Sequence, residues 1–319
     1  MKPKLRIAMT DMWRRDFDPR RNFIWRYLGE MYDLELASGP ADKPHVLFFS
    51  CFGKQHRTYR CRRIYYTGEN VPPDWRHCDY ALSFEHTDHP DHHRLPNYAH
   101  SGYGDLAKLV KGGEIDAAAV LAGKTKFCNF VYSNAKCRFR TQFFDRLSRY
   151  KRIDAGGKLR NNLGGQIPDK SRGKLEFIAQ YKFTIAFENC SHPGYTTEKL
   201  AQPMWAASLP IYWGNPLVHR DFNTRSFLNY FDHGSVEALI DRIIEVDRSD
   251  ELYLDYVRQP WLLGNRVPAA FEKANVQAFF RRAIECQRVP VALRPAPTLF
   301  QRVADWWPLK NAAQPARAA

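Results

Sequence analysis

Short, predominantly apolar runs separated by helical or irregular stretches constrain this chain more than any other feature. They fall at Lys4–Thr10, His45–Ser50, Arg63–Thr67 and Tyr80–Phe84, then at Phe127–Tyr132, Phe183–Phe187 and Pro210–Trp213. Apolar strands alternating with helical connections predict a mostly parallel sheet covered on both faces. Helical stretches are expected at Pro19–Met31, Asp105–Ala122, Lys136–Arg149 and Glu198–Ala207. Another is expected at Ser235–Val246, with Ser235 as its cap and Glu237 in its first turn. A Gly-, Asn- and charge-rich loop is expected over Gly156–Gly173. Because the α/β series restarts after residue 123, the chain reads as two α/β units, 1–123 and 124–309, followed by an uncommitted tail, 310–319. Two such units facing each other form a cleft at the carboxyl ends of their strands, where ligands of this fold class bind.

The formal charge of +14 calls for an anionic partner. Basic clusters lie at Arg14, Arg15, Arg20, Arg21 and Arg26 and across Lys54–Arg63. No zinc-finger, RNA-binding repeat or basic-zipper pattern accompanies them, which sets nucleic acid aside as the expected partner. Seven cysteines, odd in number and without CxxC, read as reduced thiols. No segment reaches the length of a membrane span or an export signal, so a cytoplasmic protein is expected. Phe271–Trp307 mixes aromatics with arginines and carries Trp306 and Trp307. That mixture suits peripheral contact with an anionic membrane and equally an ordinary packed terminal helix.

The densest polar constellation is YKFTIAFENCSHPGYTTEKLAQPMWAASLPIYWGNP, Tyr181–Pro216. Glu198 and Lys199 open a helix, where free N–H groups and the helix dipole favour phosphate; first-turn capping and a surface lysine are the plainer reading. Asn189 is a candidate hydroxyl partner at a strand end, and Tyr195, Tyr212 and Trp213 are candidate stacking residues or core. Arg140, near Arg138, either pairs with a phosphate or belongs to a solvated basic face. In the first unit TGEN, Thr67–Asn70, follows a strand directly. Glu69 can take a proton from a hydroxyl in a closing cleft or simply occupy a turn. Asn70, Asp79 and Glu85 are the acceptor-side candidates. The chain lacks GxxxxGK[ST], and its Gly156–Gly165 stretch lacks the strand–GxGxxG–helix context, which disfavours an ATP-hydrolysing P-loop and the usual dinucleotide fold. His77, His86, His89, His92, His93 and His100 have no metalloenzyme spacing, and Pro90 prevents a helical display, so no metal centre is expected.

These segments resemble the α-1,3/4-fucosyltransferase family, glycosyltransferase family 10, and particularly its bacterial lipopolysaccharide-modifying members. The resemblance rests on YYTGEN (Tyr65–Asn70), DYALSFE (Asp79–Glu85), FVYSNAKCRFRTQFFDRL (Phe130–Leu147), GGKLRNNLGG (Gly156–Gly165), YKFTIAFEN, GYTTEKL and LPIYWGNP, in the family's order and with similar spacing. It implies a GT-B fold: two Rossmann-like domains across a cleft, the first holding a glycan acceptor and the second GDP-fucose. It implies Glu69 as general base, Arg140 and Lys199 on the donor diphosphate, and Glu198, Tyr195 and Asn189 in the donor pocket, with no cofactor required. The enzyme implied is an inverting α-1,3-fucosyltransferase acting on a GlcNAc hydroxyl of an N-acetyllactosamine-like or related glycan; the expected location is cytoplasmic, with peripheral contact at the inner face of a bacterial inner membrane as the alternative. Another nucleotide sugar in the same fold is the alternative, and a basic glycan- or nucleic-acid-binding protein a more distant one. Val71–Pro73 reads VPP where family members commonly carry an ESP-like element, and the histidine-bearing loop is unusual. Both departures bear on the acceptor rather than the donor.

Overall fold

The computed structural model describes residues 1–14, 16–100, 106–167 and 172–294. The expectations placed on Trp306, Trp307 and the tail 310–319 lie outside those residues. Two parallel sheets organise the chain. The first, in order β2-β1-β3-β4-β5-β6, comprises β1 (Lys4–Thr10), β2 (Asp33–Leu36), β3 (Val46–Phe49), β4 (Arg62–Tyr66), β5 (Tyr80–Ser83) and β6 (His92–Arg94). The second, in order β11-β10-β9-β7-β8, comprises β7 (Lys126–Phe130), β8 (Ile153–Ala155), β9 (Tyr181–Phe187), β10 (Leu209–Trp213) and β11 (Leu228–Asn229). Every β3 and β4 residue is buried, as the absence of polar alternation requires. The edge strands β2, β6, β8 and β11 escaped the sequence reading. They are short and carry charged or polar residues such as Asp33, Glu35, His92 and Asp154, so periodicity gave no signal there.

The helices are α1 (Phe23–Met31), α2 (Asn97–His100), α3 (Ala117–Ala122), α4 (Arg138–Leu147), α5 (Arg172–Ala179), α6 (Glu198–Trp205), α7 (Tyr230–His233), α8 (Val236–Arg248), α9 (Asp250–Arg258) and α10 (Lys273–Glu285). The starts of α1, α3, α6, α8 and α9 follow capping chemistry. Asn22 accepts from the Ile24 N–H at 2.9 Å, and Ser235, the expected cap of α8, accepts from Ala238 at 3.1 Å. The helix expected over Asp105–Ala122 is instead a 3-10 turn at Leu106–Leu109 and the short α3. Gly112 and Gly113 interrupt it, each costing a helix about 1 kcal/mol relative to Ala, and Asp116 caps a new start by accepting from Ala119 at 3.0 Å. The loop expected to reach Gly173 ends earlier, because α5 starts at Arg172.

The terminal helix, expected with the second unit, packs on the first. Phe280 meets Phe48 at 5.6 Å between ring centroids, Phe279 meets Tyr80 at 5.9 Å, and Lys273 pairs with Glu30 at 3.0 Å. The chain therefore leaves the first unit, builds the second and returns. One continuous core joins Ile24, Leu28 and Leu106 to Leu200, Met204 and Tyr212 of the second unit.

A buried ion pair fastens this junction. Arg94, at the end of β6, donates to both carboxylate oxygens of Asp221, at 2.9 and 2.6 Å, and also to the Phe84 carbonyl at 3.1 Å. The side chains are 15% and 4% exposed, so removing one partner strands a buried charge. Arg94→Ala is expected to lower unfolding stability by about 3–5 kcal/mol in urea titrations, whereas Arg76→Ala, at an exposed pair, should cost under about 1 kcal/mol.

Candidate active site

The carboxyl ends of the two sheets meet. Asn70, just past β4, donates to the Cys190 sulfur at 2.8 Å just past β9. Phe84, past β5, packs edge-on against Tyr195 at 5.3 Å, and the Asn97 side chain accepts from the Glu198 N–H at 3.3 Å. Most of the expected site residues gather along this seam.

Its centre is a residue the sequence reading passed over. Glu188, the first residue beyond β9, is fully buried. It accepts from the Thr197 N–H at 2.7 Å and from the Thr197 hydroxyl at 2.8 and 3.0 Å. The Lys199 ammonium stands 3.3 Å from Glu188 and 3.6 Å from Glu198, and donates to Thr197 Oγ1 at 3.0 Å. Burial opposes the Lys199 charge, yet the two carboxylates outweigh it and hold its pKa well above the ordinary lysine value. Thr197 also caps α6, so one residue ties the helix start to the buried acid.

The rest of Tyr181–Pro216 supports that centre. Gly214 lies against Glu188 so closely that a Cβ there would overlap the Glu188 side chain. Asn215, fully buried, accepts from the Gly194 and Leu217 N–H groups at 2.7 and 2.8 Å and donates to Thr196 at 3.0 Å. The loop Gly194–Thr197 is thereby fixed before the helix begins. Tyr212, considered for stacking, is core, and its hydroxyl accepts from the Asn215 N–H at 3.0 Å.

Arg140 is enclosed rather than open to a ligand. It donates to the Phe187 carbonyl at 3.1 Å, to Asn189 Oδ1 at 3.2 Å and to the Asn134 carbonyl at 2.7 Å, with its guanidinium 3.9 Å from the Tyr132 ring centroid. Among the described residues no carboxylate pairs with it. It thus supplies uncompensated positive charge directly behind the half-buried Asn189. A cavity of about 200 Å³ opens between the loop after β8 and the start of α6, with Lys174, Glu198 and Gln202 in its wall.

On the opposite side Glu69 is exposed, held by its backbone: its N–H donates to Thr67 Oγ1 at 3.0 Å and its carbonyl accepts from Val71 at 2.8 Å. Tyr195 stands between the two halves. Burial first, then the negative charges of Glu188 and Glu69, push its phenol up, so it stays neutral. Glu85 lies at the same rim, where burial raises its carboxyl. Asp79 does not. It sits at the amino end of β5, accepting from the Arg63 and Val291 N–H groups at 2.8 and 2.7 Å, so this acceptor-side candidate is a structural tie at the opposite edge of the sheet.

The six histidines disperse. His89 stacks on Trp75 at 3.6 Å, His93 bonds the Ala270 carbonyl at 2.7 Å, and His100 bonds the Tyr66 hydroxyl at 3.0 Å. No cluster of three or more metal-ligating side chains forms among the described residues.

Two family models match the chain: the alpha-(1,3)-fucosyltransferase FucT N-terminal domain over residues 7–101, and the C-terminal part of glycosyltransferase family 10 (fucosyltransferase) over residues 121–289. The alpha-(1,3)-fucosyltransferase FucT of Helicobacter pylori is 30% identical across 89% of this chain, which spans 66% of that relative's length. Alpha-(1,3)-fucosyltransferase B of Drosophila melanogaster is 34% identical over 31% of this chain and 22% of its own. A crystal structure of an alpha1,3-fucosyltransferase with GDP-fucose matches with a TM-score of 0.77 and 27% identity, covering 91% of this chain and 93% of that one. The same holds for one with GDP, at 0.77 and 26%, covering 92% and 94%. T4 phage BGT shares only the fold, with a TM-score of 0.53 and 13% identity over 88% of this chain and all of that one.

Gly214→Ala should lower stability by about 1–3 kcal/mol through overpacking against Glu188, read as a shifted urea midpoint. Acid should act through the histidines. Burial holds His86, His92 and His100 at about 4, below the unfolded value of about 6.5. Their neutral forms contribute stability above pH 6.5 that is lost as pH falls towards 4. The melting temperature should therefore drop across that window, and His100→Gln should flatten the drop.

Proposed function

The chain belongs to glycosyltransferase family 10, the fucosyltransferases, and from that membership we propose that it is an inverting α-1,3-fucosyltransferase. It moves L-fucose from GDP-fucose to a GlcNAc hydroxyl of an N-acetyllactosamine-like glycan. The observation that carries this reading is the arrangement across the seam: an exposed carboxylate, Glu69, without an ion pair among the described residues, on the side opposite the helix start that holds Lys199.

In the second unit Lys199 and the dipole of α6 meet the diphosphate, the N–H groups of its first turn being taken by Glu188, Asn97 and Thr197. Arg140 reinforces them from behind Asn189 as a positioning and electrostatic residue. Glu198 accepts hydrogen bonds from the ribose hydroxyls, and Tyr195 closes the pocket towards the acceptor. In the first unit Glu69 orients the acceptor hydroxyl, with Asn70 and Glu85 at the rim. The hydroxyl oxygen attacks the anomeric carbon of fucose as the bond to the β-phosphate oxygen breaks. Its proton passes to Glu69, and the electron pair leaves on GDP, whose added charge Lys199 and the helix dipole stabilise. One displacement turns the β-linked donor into an α-fucoside, so no covalent intermediate is involved. Among the described residues no helix is long and apolar enough to cross a membrane, and we read any membrane contact as peripheral, through basic surface.

Glu69→Gln should lower fucose transfer by about 10²–10⁴-fold while GDP affinity stays within twofold of wild type; wild-type turnover with saturating acceptor would remove Glu69 from the reaction. Lys199→Ala should weaken GDP binding about 10- to 100-fold, the value of hydrogen bonds to a charged group, in calorimetric titrations. A nucleotide-sugar panel in which GDP-mannose is consumed as readily as GDP-fucose would favour a different donor.

A further inference from the structure

Among the described residues of the first unit, the exposed large apolar side chains are Met1, Trp13, Phe52 and Val71. Beyond the chain start, each of them follows the end of a strand: Trp13 after β1, Phe52 after β3 and Val71 after β4. Those strands are consecutive neighbours in the sheet. The three residues therefore share its carboxyl rim, with Glu69 two positions before Val71. β1 and β4 stand two strand spacings apart, about 10 Å, which is longer than a single sugar ring. Apolar groups left facing water beside polar ones mark a binding surface.

The backbone that presents them is pinned. The Asp11 carboxylate accepts from the Gln55 and His56 N–H groups at 3.1 and 2.9 Å and from the His56 ring at 2.7 Å. Its carbonyl accepts from the Phe52 N–H at 3.2 Å. A Cβ at Gly53 would fall 2.2 Å from an Asp11 carboxylate oxygen, so glycine is what lets these two loops approach. Trp13 stands edge-on to Phe17 at 5.0 Å and to Tyr66, the last residue of β4, at 6.3 Å. The Val71 N–H donates to the Glu69 carbonyl, and the Val71 carbonyl accepts from the Tyr65 hydroxyl, both at 2.8 Å. A cavity of about 220 Å³ opens beside Trp13, with Phe17, Asp18 and Arg21 in its wall. Arg21 is exposed and forms no ion pair among the described residues. The rim thus joins aromatic faces to hydrogen-bond donors and acceptors. A pyranose ring has the matching form, an apolar face of C–H groups edged by hydroxyls.

We infer that Trp13 and Phe52 form a platform for a sugar of the acceptor glycan beyond the one that receives fucose, so that acceptors longer than a disaccharide are selected. The inference rests on the fucosyltransferase reading and extends it to a subsite remote from the reacting hydroxyl. With that hydroxyl at Glu69, the glycan runs along the rim past Val71 and Phe52. Its further ring lies on Trp13, and the neighbouring cavity takes the hydroxyls. Contacts made there do not change as the fucosyl bond forms, so they act on acceptor binding and not on the chemical step.

The test is fucose transfer by the full chain to N-acetyllactosamine and to the tetrasaccharide made of two such units. Wild type should show a KM about fivefold or more lower for the tetrasaccharide, the worth of one aromatic contact. Trp13→Ala should raise the tetrasaccharide KM by about that factor, while kcat, the disaccharide KM and the KM for GDP-fucose stay within about twofold. Phe52→Ser should act in the same direction. It carries the test if Trp13→Ala fails to fold, because Phe52 is 49% exposed. Folded variants whose KM rises equally for both acceptors, or not at all, overturn the inference and leave the fucosyltransferase reading standing. So does a wild type indifferent to acceptor length. A wild type that moves fucose to neither acceptor overturns both.

Discussion

A carboxylate buried without solvent, Glu188, is the constraint around which the second unit is arranged. A charge in that position is tolerable only if it is paired and fully hydrogen-bonded. Thr197 supplies a backbone and a hydroxyl donor, and Lys199 supplies the opposite charge. All three partners lie at or beside the first turn of α6, so satisfying Glu188 fixes that helix start against the end of β9. Gly214 and Asn215, from the end of β10, complete the enclosure. Thus the start of α6 is set by a buried acid just beyond the neighbouring strand, and ordinary loop flexibility is removed from it.

The same logic joins the two units. A cleft between two sheets can remain mobile when its interface is small and polar. Here the return of α10 onto the first sheet, the shared core through Leu200 and Met204, and the Arg94–Asp221 pair make one side of the cleft firm. The contacts on the seam itself are single and light: Asn70 on a cysteine sulfur, Asn97 on one backbone N–H. The arrangement therefore places strong coupling at the base of the cleft and weak coupling at its mouth, where substrates must enter.

Much of this was legible in the sequence because central parallel strands and capped helices leave local signatures. β1, β3, β4, β5, β7, β9 and β10 are apolar runs, and Ser235 announces α8. The edge strands were not, because their stability comes from pairing with a neighbour rather than from their own pattern. The Asp105–Ala122 helix failed for a local reason, two adjacent glycines. Within the site, Glu198 and Lys199 could be found from their place at a helix start. Glu188 could not be singled out, because nothing in FEN says which polar residue turns inward; Gly214, opposite it on the next strand, was the available clue. Asp79 directly precedes the apolar run Tyr80–Phe84, so its place at the amino end of β5, away from the carboxyl-end cleft, was legible and was overlooked.

Arg140 and Tyr195 show how charge is divided across the seam. Around the α6 start, Lys199 pairs with Glu188 and Glu198 while Lys174 and Arg140 have no carboxylate partner among the described residues, so the group carries a net positive charge even with both acids ionised. A diphosphate completes that balance, which gives the half its preference for a nucleotide sugar in the proposed reaction. Glu69 would be a poor proton acceptor if these cations neutralised it in a permanent ion pair, because a strong partner lowers the basicity of a carboxylate. Tyr195, buried and kept protonated, feels both Glu69 and Lys199 without adding a charge of its own. The contrast between the units is therefore electrostatic as well as topological: cations and their internal acids on one side, an exposed carboxylate without an ion pair among the described residues on the other, and a neutral aromatic near both.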